Sequence, residues 1–253
     1  MNPLALSRNV GLVTVVMAAG KGTRMKSDLA KVLHPIGGRP MIQYVVETAM
    51  AVGSERILTI VGHQAEAVME TLAGYPVEFV EQRELLGTGY AVMQASPYLG
   101  GYEGDMLALA GDTPLLRPET LSDMVTRHRF TQAAVTLLTA RIEKPFGFGR
   151  IVRDPDGRVV RIVEEKDTRP EEKNIREVNT STYCFQTPLL LEMLTLLKPL
   201  NQQGEYYLTD TVGLLHERGY RVEGIAAEYP EETLGINTPE QLAFSGAILA
   251  RRV

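Results

Sequence analysis

Four cations, Lys21, Arg24, Lys26 and Lys31, follow an apolar run in this chain. The stretch that holds them, Leu12 to Leu33, opens on the β-branched segment Leu12 to Met17 and then breaks into Ala18, Ala19 and Gly20. A run of that kind forms a strand buried on both faces. Small residues at its exit let backbone N–H groups approach an anion, and cations neutralise it. The chemistry this spacing supports is the holding of phosphates. Solvated lysines on a surface loop are the bland alternative, and the small-residue strand exit argues against them.

Two common phosphate motifs do not fit. The segment Gly20-Lys21-Gly22-Thr23-Arg24-Met25 has Met25 where a dinucleotide fingerprint has its third glycine, and no acidic residue closes the second strand. It also lacks the Gly-Lys-Ser/Thr ending of a Walker loop. Further along, Gly111-Asp112 follows another apolar run, Met106 to Ala110. An aspartate there suits Mg²⁺, which takes one or two protein oxygens and completes its shell with waters and substrate phosphates. Taken alone, Asp112 serves equally as a turn cap before Pro114, and Asn237 as a cap for a helix opening at Pro239. Glu164 can be a solvated member of an acidic run, whereas Asn179, inside an apolar strand, needs a polar partner in any reading.

The elements that position these residues alternate. Strands are expected at Arg56 to Val61, Val77 to Val80, Met106 to Ala110 and Ala134 to Ala140. Helices are expected from Pro40 to about Val52, at Ala65 to Leu72, and from Gly87-Thr88 through Ala95 with Thr88 as its cap; Leu121, Met124, Val125 and His128 share one further helical face. This alternation predicts an α/β fold with a mostly parallel central sheet between helical layers. Ligands bind beyond the carboxyl ends of strands in such sheets, and Ala18 to Lys31, Gln82 and Asp112 all fall there. The second half changes character. A hairpin is signalled by Gly149 to Val152 and Val159 to Val163 around Asp154-Pro155-Asp156-Gly157, followed by a strand at Val178 to Phe185. Helical patterns at Pro188 to Leu197 and Tyr207 to Arg218, a strand at Val222 to Ala226 and a closing helix from Pro239 to about Ala250 complete the chain.

Composition narrows the function class. The 253 residues carry a net charge of -5, against the basic surface that general nucleic-acid binding needs. The single cysteine, Cys184, excludes an internal disulfide and any multi-cysteine metal site, and sits in an apolar strand where it is expected to be inert. His34, His63 and His216 have no metal-ligand spacing, and His128 reads as a core residue. Arg8, Val10 to Val16 and the small residues after Met17 superficially resemble a secretory signal, but cleavage there would remove a strand that the alternation requires. No apolar run approaches the ~20 residues needed to span a bilayer. The expectation is a soluble, cytoplasmic protein with small-molecule substrates, no nucleic acid and no membrane.

The motifs then carry a resemblance. VVMAAGKGTRMKSDLAKVLHPIGGRPM resembles the opening of the sugar-nucleotide pyrophosphorylases, or nucleotidyltransferases. EQRELLGTGYAVMQA, LALAGDTPLL, FGRIV, IVEEKD, EVNTSTYCF, NQQGEYYLTD and GIN follow in order, so the likeness runs from about Val13 to Asn237. More narrowly it is similar to the uridyltransferase domain of the bacterial bifunctional N-acetylglucosamine-1-phosphate uridyltransferase/glucosamine-1-phosphate acetyltransferases. The resemblance implies a Rossmann-like three-layer α/β/α fold and Mg²⁺-dependent transfer of UMP from UTP to N-acetyl-α-D-glucosamine 1-phosphate, giving UDP-N-acetylglucosamine and diphosphate. By the same likeness Met17, Ala18, Ala19 and Gly20 line the uridine site, and Gln82, Gly87 and Thr88 complete base recognition. Arg24 and Lys31 act on phosphates as the catalytic cations, and Asp112 and Asn237 hold the metal. Ala110, Gly111, Gly149, Glu164 and Asn179 line the sugar-phosphate side, with Tyr207 and Thr209. One domain is expected over residues 1–253: a nucleotide lobe at 1–130, a sugar lobe at 131–238 and a C-terminal helix at 239–253.

The chain departs from the pattern in three places. Ala30 stands where the family commonly has proline before Lys-Val-Leu-His, which implies a looser segment aiming Lys31. Ser181 replaces a glycine two residues after Asn179, with Thr182 behind it, which implies a narrower sugar pocket. The sequence stops at Val253, without the hexapeptide-repeat helix of the bifunctional enzymes, so acetyl transfer and the trimer built on that helix are not carried over. Two other readings stand beside the first. One is a pyrophosphorylase for another sugar 1-phosphate, such as glucose 1-phosphate, or for another nucleotide; the other is a non-catalytic nucleotide-sugar binder.

Overall fold

A computed structural model describes residues 10–252. Arg8 of the signal-like opening and Val253 therefore lie outside the described residues. The elements in chain order are β1 (Leu12–Met17), the short pair β2 (Pro35–Ile36) and β3 (Arg39–Pro40), α1 (Met41–Ala51), β4 (Arg56–Val61) and α2 (Ala65–Thr71). Next come β5 (Glu78–Glu81), α3 (Thr88–Leu99), β6 (Asp105–Ala110), α4 (Pro118–Thr131) and β7 (Val135–Arg141). The hairpin β8 (Arg150–Arg153) and β9 (Val159–Val163) precedes β10 (Glu177–Gln186), α5 (Thr187–Leu194), α6 (Asp210–Glu217), β11 (Val222–Ala226) and α7 (Pro239–Leu249).

The main sheet runs in the order β11-β7-β10-β6-β1-β4-β5, with β8 on the start of β10 and β9 on β8. β1 pairs in parallel with β4 and β6, β4 with β5, and β7 with β11. β10 is antiparallel to both β6 and β7. The mostly parallel expectation holds, with one reversed strand at its centre.

Alternation along β1 divides the core. Val13 and Val15 join the cluster formed with α3, α5 and α6, whereas Leu12 and Val16 join the one formed with α1, α2 and α4. Burial on both faces is the reason these strands read as continuous apolar runs. A smaller cluster of Met25, Ile36, Met41 and Ile236 ties α7 to the opening loop through Leu242 and Leu249.

Several boundaries differ from the sequence reading. Pro40 is the N-cap of α1, one position before the first helical residue. Thr88 is not a cap: Gly87 is, and the Thr88 hydroxyl instead accepts the Leu208 N–H at 3.1 Å. α3 continues beyond Ala95 to Leu99 with Pro97 inside it. α5 ends at Leu194 rather than Leu197. α6 begins at Asp210 rather than Tyr207, because Tyr206 to Leu208 run as a strap across α3, the Tyr206 carbonyl taking the Gly89 amide at 2.8 Å. Asn237 does not cap α7: Thr238 does, in a reciprocal capping box with Gln241.

Candidate active site

The strand exits of β1, β5 and β6 open on one cavity of about 500 Å³, with β4 bracing the β1 exit from behind. At its floor the chain leaving β1 is pinned from two sides. The Ala18 amide donates to the Ile60 carbonyl at 2.9 Å, and the His63 amide donates to the Ala19 carbonyl at 3.0 Å. Ala18 and Ala19 are thereby buried against β4 while Gly20 lies in the open. Gln82, only 4% exposed, follows β5; its backbone amide donates to the Val61 carbonyl at 2.7 Å and its Nε2 to the Glu84 carbonyl at 2.9 Å. That anchor fixes the plane of the carboxamide, which offers both a donor and an acceptor to an imide edge. Gly87 holds a φ of +105°, and a Cβ there would stand 2.5 Å from the Tyr206 carbonyl oxygen. Only glycine lets the strap cross the start of α3 at that distance.

The cations and the oxygen donors meet at the same cavity. Lys31 Nζ donates to Asn237 Oδ1 at 3.0 Å and makes a short ion pair with Asp112 Oδ2. Arg24 donates to Asn237 Oδ1 at 2.9 Å. The Ile236 amide donates to the Asp112 carbonyl at 2.9 Å, which brings two loops distant in sequence into register. Because Thr238 and Gln241 cap α7, the Asn237 side chain is left for this cluster. Asp112 and Asn237 fit a hard divalent ion: both present oxygen, and both already converge on a positive charge of the chain itself. Among the described residues no group of three or more His, Cys, Asp or Glu forms a self-sufficient metal cage. A metal here therefore depends on substrate oxygens and water for the rest of its shell.

Lys31 is held at its root. Gly22, with φ +65°, packs so closely that a Cβ on it would lie 2.4 Å from the Lys31 Cβ. Ala30 is fully buried with φ −53° and ψ 135°, the backbone a proline would impose, and its amide donates to Gln64 Oε1 at 2.7 Å. The looser segment expected from losing proline is thus offset by a side-chain grip.

The other wall comes from the hairpin and from β10. Thr209 Oγ1 donates to Glu164 Oε1 at 3.0 Å. Burial pushes the Glu164 carboxyl up; the Thr209 hydroxyl draws it back, and Asp210, Asp167 and Glu205 add to the rise. Asn179, 6% exposed, donates through Nδ2 to the Tyr183 hydroxyl at 2.7 Å and accepts the Ser181 amide at 3.2 Å through Oδ1. Its polar partner is therefore the aromatic residue four positions on. Ser181 sits at φ +58°, inside the register shift between Asn179 and Tyr183. The Asn179 amide donates to the Gly149 carbonyl at 2.9 Å, and a Cβ on Gly149 would meet Ile162 at 3.0 Å. Tyr207 accepts from Gln203 Nε2 at 2.7 Å, and burial pushes its phenol up to about 12.

Met17, Ala18, Ala19, Gly20, Arg24, Lys31, Gln82, Gly87, Thr88, Ala110, Asp112, Gly149, Glu164, Asn179 and Asn237 all line the one cavity. Tyr207 and Thr209 line a recess of about 180 Å³ that shares Met17, Thr88, Glu164 and Asn179 with it. Gly111 does not line the cavity; its amide donates to the Met17 carbonyl at 3.0 Å beneath it. Lys21 and Lys26 are exposed and outside it. Sequence reasoning missed Glu205, Gly235 and Phe146, which also line it. Phe146, 84% exposed, sits on a loop whose Gly147 amide donates to Glu165 Oε2 at 3.0 Å, while fully buried Arg150 pairs with Glu165 at 2.7 Å. A solvent-facing aromatic ahead of Gly-Phe-Gly was the available signal.

Comparison with known proteins gives the family and the fold. The family described as Nucleotidyl transferase matches residues 13–228. The bifunctional protein GlmU of Geobacter metallireducens is 49% identical over 243 residues, 96% of this chain and 51% of that protein. GlmU of Halalkalibacterium halodurans is 48% identical over 239 residues, 94% of this chain and 52% of its own length. The chain spans about half the length of the curated relatives it matches. A crystal structure of UDP-glucose pyrophosphorylase complexed with UDP-glucose shares the fold, with a TM-score of 0.77 at 19% identity over 96% of this chain and 100% of that one.

Proposed function

This chain belongs to the nucleotidyl transferase family, and on that premise we propose that it transfers UMP from UTP to N-acetyl-α-D-glucosamine 1-phosphate in the cytoplasm. The products are UDP-N-acetylglucosamine and diphosphate. The observation that carries the reading is the shared cavity. The Ala18-Ala19-Gly20 exit and Gln82 stand on one side and Glu164 and Asn179 on the other, Glu164 held by Thr209 of the adjoining recess, with Arg24, Lys31, Asp112 and Asn237 also on the cavity wall. Residues 1–130 then supply the nucleotide side and residues 131–238 most of the sugar side. About half-identical relatives named GlmU support the substrate assignment.

The reaction forms a bond between a phosphate oxygen of the sugar 1-phosphate and the α-phosphorus of UTP. The bond from that phosphorus to the α–β bridging oxygen breaks, and diphosphate leaves with the electron pair. No protein nucleophile is required, so positioning and charge neutralisation do most of the work. Gln82 orients the uracil through its carboxamide. Glu164 accepts hydrogen bonds from sugar hydroxyls, held by Thr209; Asn179, fixed by Tyr183, presents an amide to the same ligand. Arg24 and Lys31 balance charge that accumulates on the departing diphosphate. Asp112 and Asn237 would hold Mg²⁺, which supplies Lewis-acid neutralisation of phosphate oxygens when bound.

The test is pyrophosphate release from UTP and Mg²⁺ with a panel of sugar 1-phosphates. N-Acetylglucosamine 1-phosphate is expected to be the preferred acceptor. Turnover with glucose 1-phosphate alone sinks the sugar assignment, and UDP-sugar binding without turnover favours a pure binder. Asp112→Ala is expected to cut kcat by at least about 10²-fold, the loss typical of a key electrostatic group.

A further inference from the structure

The turn that carries Lys31 is gripped by a residue that does not line the cavity. Gln64 is the N-cap of α2, and its side chain crosses to the opening loop. Oε1 accepts the Ala30 amide at 2.7 Å and Nε2 donates to the Asp28 carbonyl at 2.8 Å. One planar carboxamide therefore takes a donor and an acceptor two residues apart on the same segment. Such a grip sets orientation as well as position.

The backbone at Gln64 makes the grip informative. Gln64 holds φ 53° and ψ 42°, the left-handed region where glycine is the low-cost choice. A long side chain kept there needs compensation from what it holds. The residues just before it reach the β1 exit: the His63 amide donates to the Ala19 carbonyl at 3.0 Å, and a Cβ on Gly62 would stand 2.9 Å from the Ala19 Cβ. The β4–α2 loop thus braces both the small-residue exit of β1 and the turn before Lys31. That turn is closed by the Leu33 amide on the Ala30 carbonyl at 2.9 Å and backed by Gly22 against the Lys31 Cβ.

We propose that Gln64 is a positioning residue for the Lys31 ammonium, fixing by two hydrogen bonds the backbone that a proline at position 30 would fix covalently. The φ of −53° at Ala30 lies in the proline range, and a proline there has no N–H for Gln64. The two devices are alternatives at one backbone site. The proposal rests on the assignment of Lys31 to substrate phosphates made above.

The experiment compares Gln64→Gly, Ala30→Pro and the double variant, with Lys31→Ala as a second background. Glycine suits the left-handed backbone, so Gln64→Gly is expected to melt no lower than the parent. It is expected to lower kcat/KM for UTP by about 5- to 10-fold, the size of losing one or two hydrogen bonds. Ala30→Pro added to Gln64→Gly is expected to restore kcat/KM to within about 2-fold of the parent. In the Lys31→Ala background, Gln64→Gly is expected to change it by less than about 2-fold. Equal losses in both backgrounds, or no rescue by proline, overturn the positioning role. Hydrogen exchange at the Ala30 amide reads the grip with no substrate, and is expected to quicken by at least about 5-fold in Gln64→Gly. Unchanged exchange overturns the grip itself. Absence of turnover by the parent with every sugar phosphate is instead the failure of the assigned reaction.

Discussion

Replacing Lys31 by methionine is expected to tighten the binding of a divalent ion when no nucleotide is present. The Lys31 ammonium lies between Asp112 Oδ2 and Asn237 Oδ1, so the chain's own cation competes for both oxygens. The paired side chains retain only 18% and 12% of their exposure. Opposite charges about 3 Å apart attract by about 5 kcal/mol at an effective dielectric of ~20. Desolvation cancels most of that, leaving about 1–2 kcal/mol that an incoming ion must displace. Removing the ammonium should therefore tighten the site by about 5- to 30-fold. The assay is titration of Mn²⁺ by the loss of its free-ion EPR signal, with Mg²⁺ as competitor and Asp112→Ala as the control that abolishes binding. With UTP present the gap should shrink or reverse, because the phosphates then hold Lys31 elsewhere in the parent protein. Equal or weaker Mn²⁺ binding by Lys31→Met without nucleotide refutes the competition.

Two stability predictions concern Asp210 and Ser181. Burial, with Asp167 nearby, pushes the Asp210 carboxyl up to about 6 from 3.8. The folded state therefore binds the proton more tightly than the unfolded chain, and stability falls as pH rises from about 4 to about 6. The full penalty is about 3 kcal/mol; partial exposure and the favourable N-terminus of α6 reduce it to about 1 kcal/mol. Asp210→Asn should thus raise Tm by about 2–4 °C at pH 8 and by nothing near pH 4, and an equal gain at both pH values contradicts the cause. Ser181→Gly relieves a left-handed backbone worth about 1–2 kcal/mol against a glycine entropy cost of about 0.5–1 kcal/mol. Thermal melting should show a Tm unchanged or raised by about 2 °C, and a fall of several degrees would show that Ser181 is held by contacts stronger than its strain.

Much of the fold is legible in the sequence. β1, β4 and β6 announce themselves because burial on both faces leaves mostly apolar residues, and the turn Asp154 to Gly157 marks β8 and β9 through its own backbone needs. The ordered motifs pointed to the family that the comparisons also find. The direction of β10 was not legible, since side-chain alternation is the same for parallel and antiparallel pairing. Asn237 and Thr238 are both good caps, and only the approach of Lys31 and Arg24 shows which one is left for the site. The shortened start of α6 reflects a strap across α3, a tertiary demand with no local signature. Gln64 was invisible for a similar reason: its partners lie 34 and 36 positions away along the chain.

The reversed strand has a consequence for how this molecule can change. β1, β5 and β6 deliver Ala18, Gln82 and Asp112 just past their carboxyl ends, so each of these residues is held to the sheet by the strand before it. β10 instead enters the sheet from the site, with Asn179 at its beginning and Gln186 at the far edge, opposite Asp105. Chain between β7 and β10 thus goes out and returns at one end of two adjacent strands, its hairpin attached to the sheet through the start of β10. Residues there can be lengthened, shortened or exchanged while β1, β4 and β6 keep Ala18 and Asp112 in register. On the proposed function, Glu164 therefore sits on a segment that can change without disturbing the strands behind Asp112 and Gln82, and grafting that segment from a relative tests whether acceptor choice follows it.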